Sequence, residues 1–174
     1  MGLTYEIGKL SLAGIVERFD NKSEEDKNKA TMVYSLSATY DFEVAKAFFG
    51  YQYANRFHSL DQLEDVWVSG KGMNQNAFTL GAEVPAAGGT FKVAANYGFG
   101  KVKSADGVVV DDTKLSNDKF NRFTVGAAYE YPLSKRTFVY GWGAYATAGK
   151  MFKEKAVEEN FKSWSLGLGL HHTF

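Results

Sequence analysis

The sequence predicts an all-β protein: an antiparallel up-and-down β-barrel that crosses a membrane with its strands, in one domain over residues 1–174. Three observations predict it. Two-residue alternation of apolar with small or polar side chains recurs along nearly the whole chain, the period of a strand with two different faces. The large and aromatic residues keep to one parity while Gly, Ser, Thr, Ala and scattered charges keep to the other. A core made of those small residues would bury little, so the aromatic face must be the one that meets lipid. Finally, the connections alternate a short turn with a long polar loop, the rhythm of a barrel with tight turns at one rim and long loops at the other.

The pattern is clearest at Trp164–Phe174 (WSLGLGLHHTF), where Trp164, Leu166, Leu168, Leu170, His172 and Phe174 oppose Ser165, Gly167, Gly169, His171 and Thr173. A closing strand of a transmembrane barrel needs such a band of roughly 9–11 residues with aromatics at its borders. From the start of the chain, Leu3, Tyr5 and Ile7 form a partial strand, and Gly8-Lys9 reads as a tight turn. Leu10–Phe19 is a full strand with Glu17 on its small-residue parity, broken only by Ile15. Asp20–Lys29 (DNKSEEDKNK) is too charged to pack and reads as a solvated loop. In Ala30–Phe42, Met32, Tyr34, Leu36, Ala38 and Tyr40 lie opposite Thr31, Ser35, Ser37, Thr39 and Asp41.

A short turn over Asp41–Val44 leads to Ala45–Phe57, which sets Ala47, Phe49, Tyr51 and Tyr53 against Lys46, Gly50, Gln52, Ala54 and Arg56. His58–Met73 reads as a long loop, and Asn74–Val84 as a strand carrying Glu83 on the polar parity. Pro85–Gly89 is a turn by its chemistry, since proline presets φ and glycine permits positive φ. Thr90–Lys101 follows with Lys92 on the polar parity and Tyr97 on the other. Val102–Lys119 is a loop, and Phe120–Tyr131 sets Tyr129 and Tyr131 against Arg122 and Glu130. Pro132–Arg136 turns the chain. The parity of the next strand then places Phe138, Tyr140 and Trp142 with the lipid-facing residues and Tyr145 with the small ones. Ala148–Lys162 is the last polar loop. The count is eight full strands and a partial one.

Composition agrees. The 174 residues are 45% hydrophobic and 16% aromatic, with 18 glycines, 14 phenylalanines and 10 tyrosines, and mean hydropathy is −0.28. No run approaches the ~18 apolar residues of a membrane helix, but alternating strands average to neutral and escape that test. There is no cysteine, so neither disulfides nor thiolate metal sites are available. Twenty basic and twenty acidic side chains give a formal net charge of zero, which argues against a nucleic-acid partner. Met1-Gly-Leu-Thr-Tyr5 has no basic start and no apolar core, so a mature chain or a piece of a longer one is expected.

Several stretches resemble the general diffusion porins of Gram-negative outer membranes, above all the C-terminal half of the sixteen-stranded trimeric type. These are Tyr5-Glu-Ile-Gly-Lys-Leu-Ser-Leu12, Lys46-Ala-Phe-Phe-Gly-Tyr-Gln-Tyr-Ala54, Phe78-Thr-Leu-Gly-Ala82, Tyr131-Pro-Leu-Ser-Lys-Arg-Thr137 and Gly169-Leu-His-His-Thr-Phe174. The turn Leu133-Ser-Lys-Arg-Thr137 followed by a strand ending in phenylalanine is the most specific pair. The resemblance implies a water-filled channel for small hydrophilic solutes, usually a homotrimer, in the bacterial outer membrane among lipid and lipopolysaccharide. It also implies that Trp164, Leu166, Leu168, Leu170, His172 and Phe174 serve as a C-terminal signal read by the outer-membrane assembly machinery. The family's constriction loop and the basic residues facing it have no counterpart here, so eyelet residues are not carried over. Leu3–Ile7 then reads as the tail of an eighth strand. The alternative is a small eight-stranded barrel with a plugged lumen, acting as adhesin or structural anchor, in which Leu10–Phe19 pairs with Trp164–Phe174.

Within this frame the charges on the small-residue parity are expected to line the lumen and bias ion selectivity: Glu17, Lys46, Arg56, Glu83, Lys92, Arg122 and Glu130. Cross-strand pairing that stiffens the wall is the competing role. Tyr40, Tyr51, Tyr53, Tyr97, Tyr129, Tyr131, Trp142 and Trp164 are expected to form aromatic girdles at the headgroup level. Only Tyr145 and Phe48 are expected on the lumen parity, too few for a sugar-guiding track.

No catalytic, cofactor or metal residues are expected. His58-Ser59 points apart in an extended chain, Asp111-Asp112 lies in a polar loop, and His171-His172 alternate faces. Val68–Gly72 lacks phosphate-loop spacing, and Ser23-Glu-Glu-Asp26 reads as solvated rather than cation-binding.

Overall fold

The structure is a computed structural model that describes residues 1–20, 30–58, 71–103, 109–110, 113–115, 118–153 and 162–173. Nine strands build one antiparallel up-and-down sheet: β1 (Gly2–Ile7), β2 (Leu10–Phe19), β3 (Thr31–Asp41), β4 (Lys46–Phe57), β5 (Met73–Ala86), β6 (Gly89–Val102), β9 (Lys119–Ser134), β10 (Thr137–Lys150) and β11 (Lys162–His172). Each pairs with its neighbour in sequence. A separate two-residue hairpin, β7 (Val109–Val110) with β8 (Thr113–Lys114), lies in the connection between β6 and β9, where the alternation pattern leads one to expect only loop.

Turn chemistry sets the registers. Ala87 and Gly88 both have positive φ (49° and 79°), the type I′ geometry that matches strand twist, and Tyr129 Oη caps this turn by donating toward the carbonyls of Ala86 and Ala87, each at 3.0 Å. Pro85 and Pro132 are therefore not in the turns, as their chemistry suggested, but inside strands just before them. At the β3–β4 turn the Asp41 carboxylate accepts from the Glu43 N–H at 2.8 Å, and Glu43 ion-pairs with Lys9 of the adjoining turn.

Two one-residue irregularities matter more. In β4–β5 the register runs Asn55↔Asn74 and then Phe57↔Met73, so Arg56 is the extra residue of a bulge with φ 59°. In β9–β10 it runs Thr137↔Ser134 and then Phe138↔Pro132, so Leu133 is passed over. Because the side-chain period is two, this second slip moves all of β10 to the opposite face from the one its hairpin turn alone implies.

At the loop end the segments beyond the strands are not merely solvated. Met73 and Met151 are 0% exposed, and Phe152, Phe120 and Val102 are nearly as buried. Phe120 meets Phe57 and Phe152 edge-on at 6.2 and 6.1 Å between ring centroids. Burying each such side chain stabilises the fold by about 1.5–3 kcal/mol. The polar character of 148–162 concealed a 3-10 turn, Met151–Lys153, that closes this cluster. Backbone bonds from Val102 N–H to Asp118 and from Lys103 N–H to Gly72, at 2.7 and 2.8 Å, bind the loop bases together.

Asp118 also ion-pairs with Lys101 at 2.9 Å, and that hydrogen-bonded ammonium holds its carboxyl below the ordinary value of 3.8. A depressed carboxylate pKa contributes stability above its unfolded value, and the contribution is lost as pH falls through the folded one. Protection of the Val102 and Lys103 amides, taken relative to their intrinsic exchange rates at each pH, is therefore expected to fall only as pH is lowered below about 4, and Asp118→Asn is expected to show the lower protection already at neutral pH.

Candidate functional site

Cross-strand partners share a face, so the registers sort every described strand residue onto one of two surfaces. One surface carries Leu3, Tyr5 and Ile7 of β1, Leu12 and Val16 of β2, Leu36 of β3, Phe49 of β4, Leu80 of β5, Val93 of β6, Val125 of β9 and Leu166, Leu168 and Leu170 of β11. Tyrosines and a tryptophan border this surface at two levels. Tyr34, Tyr51, Tyr53, Tyr97, Tyr145 and Trp164 lie toward the loop end; Tyr40, Tyr129 and Tyr131 lie toward the turn end. On β3 the two levels, Tyr34 and Tyr40, are six residues or about 20 Å apart at ~3.4 Å per residue.

Between those levels this surface bears no charged side chain among the described residues. Leu168 is 91% exposed and Leu36, Leu80 and Leu170 about 60%. A contiguous apolar surface of this extent is far beyond what a water-facing sheet shows. Together with the two aromatic levels, it matches the lipid-facing band of a transmembrane barrel.

The opposite surface is small and charged. Near the turn end it carries a row of alternating sign, one residue per strand: Asp41, Lys46, Glu83, Lys92 and Glu130 on β3, β4, β5, β6 and β9. Lys46 lies 3.7 Å from Asp41, and Lys92 lies 3.6 Å from Glu83 and 2.8 Å from Glu130. Each partly exposed pair adds only about 0.2–1 kcal/mol. The row therefore stiffens the wall little by little rather than holding it shut. Glu17 shares this surface, and so does Arg122, flanked by Gly98 and Ala148 with no ion pair among the described residues. Arg56 does not take the place its parity predicted, because the bulge hands that position to Phe57.

A niche of about 440 Å³ opens on this surface and spans five strands, from Phe48 on β4 to Trp142 on β10, over a floor that includes Gly81, Gly126 and Ala144. A single hollow with walls five strands apart means that the sheet curls around the charged surface. Trp142 is thus a correction to the sequence reading. Its partners are Ala128 and Gly167, which places it among the charges and small residues and not in a girdle. Tyr145, paired with Val125 and Trp164, takes the girdle position instead.

Reciprocal glycines make room for the exchange. A Cβ at Gly167 or Gly169 would enter the rings of Trp142 and Tyr140, and one at Gly141 or Gly143 would come within 2.9 Å of Leu168 or Leu166. Aromatics of β10 thus lie over glycines of β11 on one face, and leucines of β11 over glycines of β10 on the other. No sequence parity reveals this without the bulge at Leu133.

Of the C-terminal strand residues, Trp164, Leu166, Leu168, Leu170 and His172 share the apolar surface, with His172 Nδ1 2.8 Å from Thr137 Oγ1. Phe174 lies outside the described residues, as do Ser59, Asp111-Asp112 and Ser23–Asp26. The eight-strand closure is contradicted: β2 pairs with β1 on one side and β3 on the other, leaving no edge for β11.

Comparison with known proteins agrees with this geometry. Residues 1–150 match the family model of Gram-negative porins. An outer membrane porin protein of Bordetella pertussis is 30% identical over 193 aligned residues, covering 99% of this chain and 45% of that protein. The solved anion-selective porin from Comamonas acidovorans superposes with a TM-score of 0.60 at 22% identity, covering 99% of this chain and 48% of its own. The chain thus spans about half the length of these relatives.

Proposed function

This chain belongs to the Gram-negative porin family of the bacterial outer membrane, and from that premise we propose that its nine strands form part of the wall of a water-filled channel for passive diffusion of small hydrophilic solutes and ions. One observation carries the proposal: between the two aromatic levels, every charged side chain of the described sheet lies on the inward-curving surface and none on the other. Such a wall keeps its backbone groups paired against lipid while its charged side faces water. No residue is assigned a catalytic role; the charged surface acts by staying hydrated.

Strand direction bears on how the wall closes. Seven strands separate β1 from β11, so the two edges run the same way. Joining them would make a parallel seam, whereas bacterial barrels pair antiparallel with even strand numbers. We read the channel as completed by an odd number of further strands, consistent with a chain about half as long as its relatives. A homotrimer, contact with lipopolysaccharide on the apolar surface, and recognition of Trp164–Phe174 by the assembly machinery complete the proposal.

Planar-bilayer recording of the protein purified from outer membranes tests it: porin-sized conductance steps are expected, and a folded but silent protein contradicts the channel. The solved relative is anion-selective. In this wall Lys46 and Lys92 are paired with acidic neighbours, whereas Arg122 has no ion pair among the described residues and is a cation that can act on passing anions. Arg122→Gln is expected to move the reversal potential toward cation preference, an effect that fades above ~1 M salt as the screening length shrinks to about 3 Å.

A further inference from the structure

We propose that the β10 aromatics and the adjoining charge trio form a rail on the wet surface that binds neutral pyranose sugars. The idea rests on the reading of that surface as water-facing. Phe138, Tyr140 and Trp142 follow one another at every second residue on the same face, with 6.1 Å between the centroids of the first two rings. Ring atoms of Trp142 and Tyr140 lie over Gly167 and Gly169, in the space a Cβ there would take, and Phe138 stacks on His171 at 4.8 Å and 22°. Each ring is thus packed against β11 on one side, and Trp142 remains 40% exposed, which leaves ring surface open to a ligand. The negative face of an aromatic ring attracts the weakly positive C–H groups on the flat side of a sugar.

A polar edge runs beside this apolar track. Glu130 sits directly across from Tyr140, and Lys92 is two strands, about 10 Å, from Trp142 through Ala128. The trio Glu83–Lys92–Glu130 supplies acceptors and a donor together. A hydroxyl can accept from the ammonium and donate to a carboxylate, whereas an anion meets two carboxylates and a cation meets the ammonium between them. The niche ending at Trp142, at about 440 Å³, falls within the ~300–1,000 Å³ of small-molecule sites. Ring face, hydroxyl-matching edge and volume select a neutral cyclic sugar over a planar ion.

Titration of the detergent-solubilised full protein with maltotriose, followed by saturation-transfer NMR and tryptophan fluorescence, tests the rail. Saturable transfer to the sugar C–H protons is expected, with none to sorbitol, which has hydroxyls but no ring. Trp142→Ala is expected to weaken binding about three- to tenfold, the scale of one lost aromatic contact, and Trp164→Ala to leave it unchanged. Lys92→Met, which keeps every ring, is expected to weaken it as well. No saturable transfer, an equal response to sorbitol, or full binding by a folded Trp142→Ala or Lys92→Met protein overturns the proposal. Bilayer conductance of the same preparation separates the two readings: open channels without sugar binding remove the rail alone, and sugar binding by a silent protein removes the channel alone.

Discussion

Leu168→Arg is expected to destabilise the membrane-folded protein by about 2–4 kcal/mol, the measured range for arginine at the bilayer midplane of an outer-membrane barrel. Leu168 stands in the middle of the β11 band between Trp164 and His172, is 91% exposed, and covers Gly141 of β10. In lipid that exposure is a solvation of leucine by acyl chains, and a guanidinium there must snorkel or drag in water. Ser165→Arg, on the same strand but the charged surface, is expected to cost less than about 0.5 kcal/mol, as ordinary surface changes do. Urea unfolding from lipid vesicles measures both. Equal costs at the two positions would mean that the apolar surface does not meet lipid.

Gly167→Val is expected to cost about 1–3 kcal/mol, the penalty of overpacking, and to displace the Trp142 indole from the wall. A Cβ at 167 already falls inside that ring, with Cζ2 at 2.8 Å. Relief requires either a new rotamer for Trp142 or a shift of the β10–β11 ladder. The near-ultraviolet tryptophan signal should change together with stability. Unchanged stability and spectrum would show that Trp142 does not lie on Gly167, and would undo the reversed face of β10.

That face marks the boundary of what the residues alone disclose. Alternation located every strand of the sheet within a few residues, because a wall between lipid and water gives each strand two chemically different sides. It also set Glu17, Lys46, Glu83, Lys92, Arg122 and Glu130 on one parity, and the registers bring them to one common surface, with Arg56 the exception. Both failures of side assignment trace to a single extra residue in a hairpin, at Arg56 and at Leu133, which sequence periodicity cannot register. On β10 the size rule then misled as well, since glycines at 167 and 169 let large rings sit on the small-residue side. The loop-end cluster was hidden for another reason: Met151 and Phe152 stand alone in a charged stretch, and only the approach of Phe120 and Met73 from distant strands makes them a core. The prolines were misplaced by two or three residues because each can occupy a strand position that donates no ladder hydrogen bond.

The central claim, that one face of this sheet is wet and the other meets lipid with β10 turned by the bulge, is tested most directly by cysteine labelling in outer-membrane vesicles. These 174 residues contain no cysteine, so a cysteine introduced among them adds a single new thiol whose labelling is read against the unsubstituted protein. Neighbouring positions are compared: Trp142→Cys with Gly143→Cys on β10, and Ser165→Cys with Leu166→Cys on β11. A charged, membrane-impermeant thiosulfonate is predicted to modify positions 142 and 165 and to spare 143 and 166. Modification of 143 in place of 142 would contradict the register of β10, and uniform modification at all four would contradict the channel wall itself.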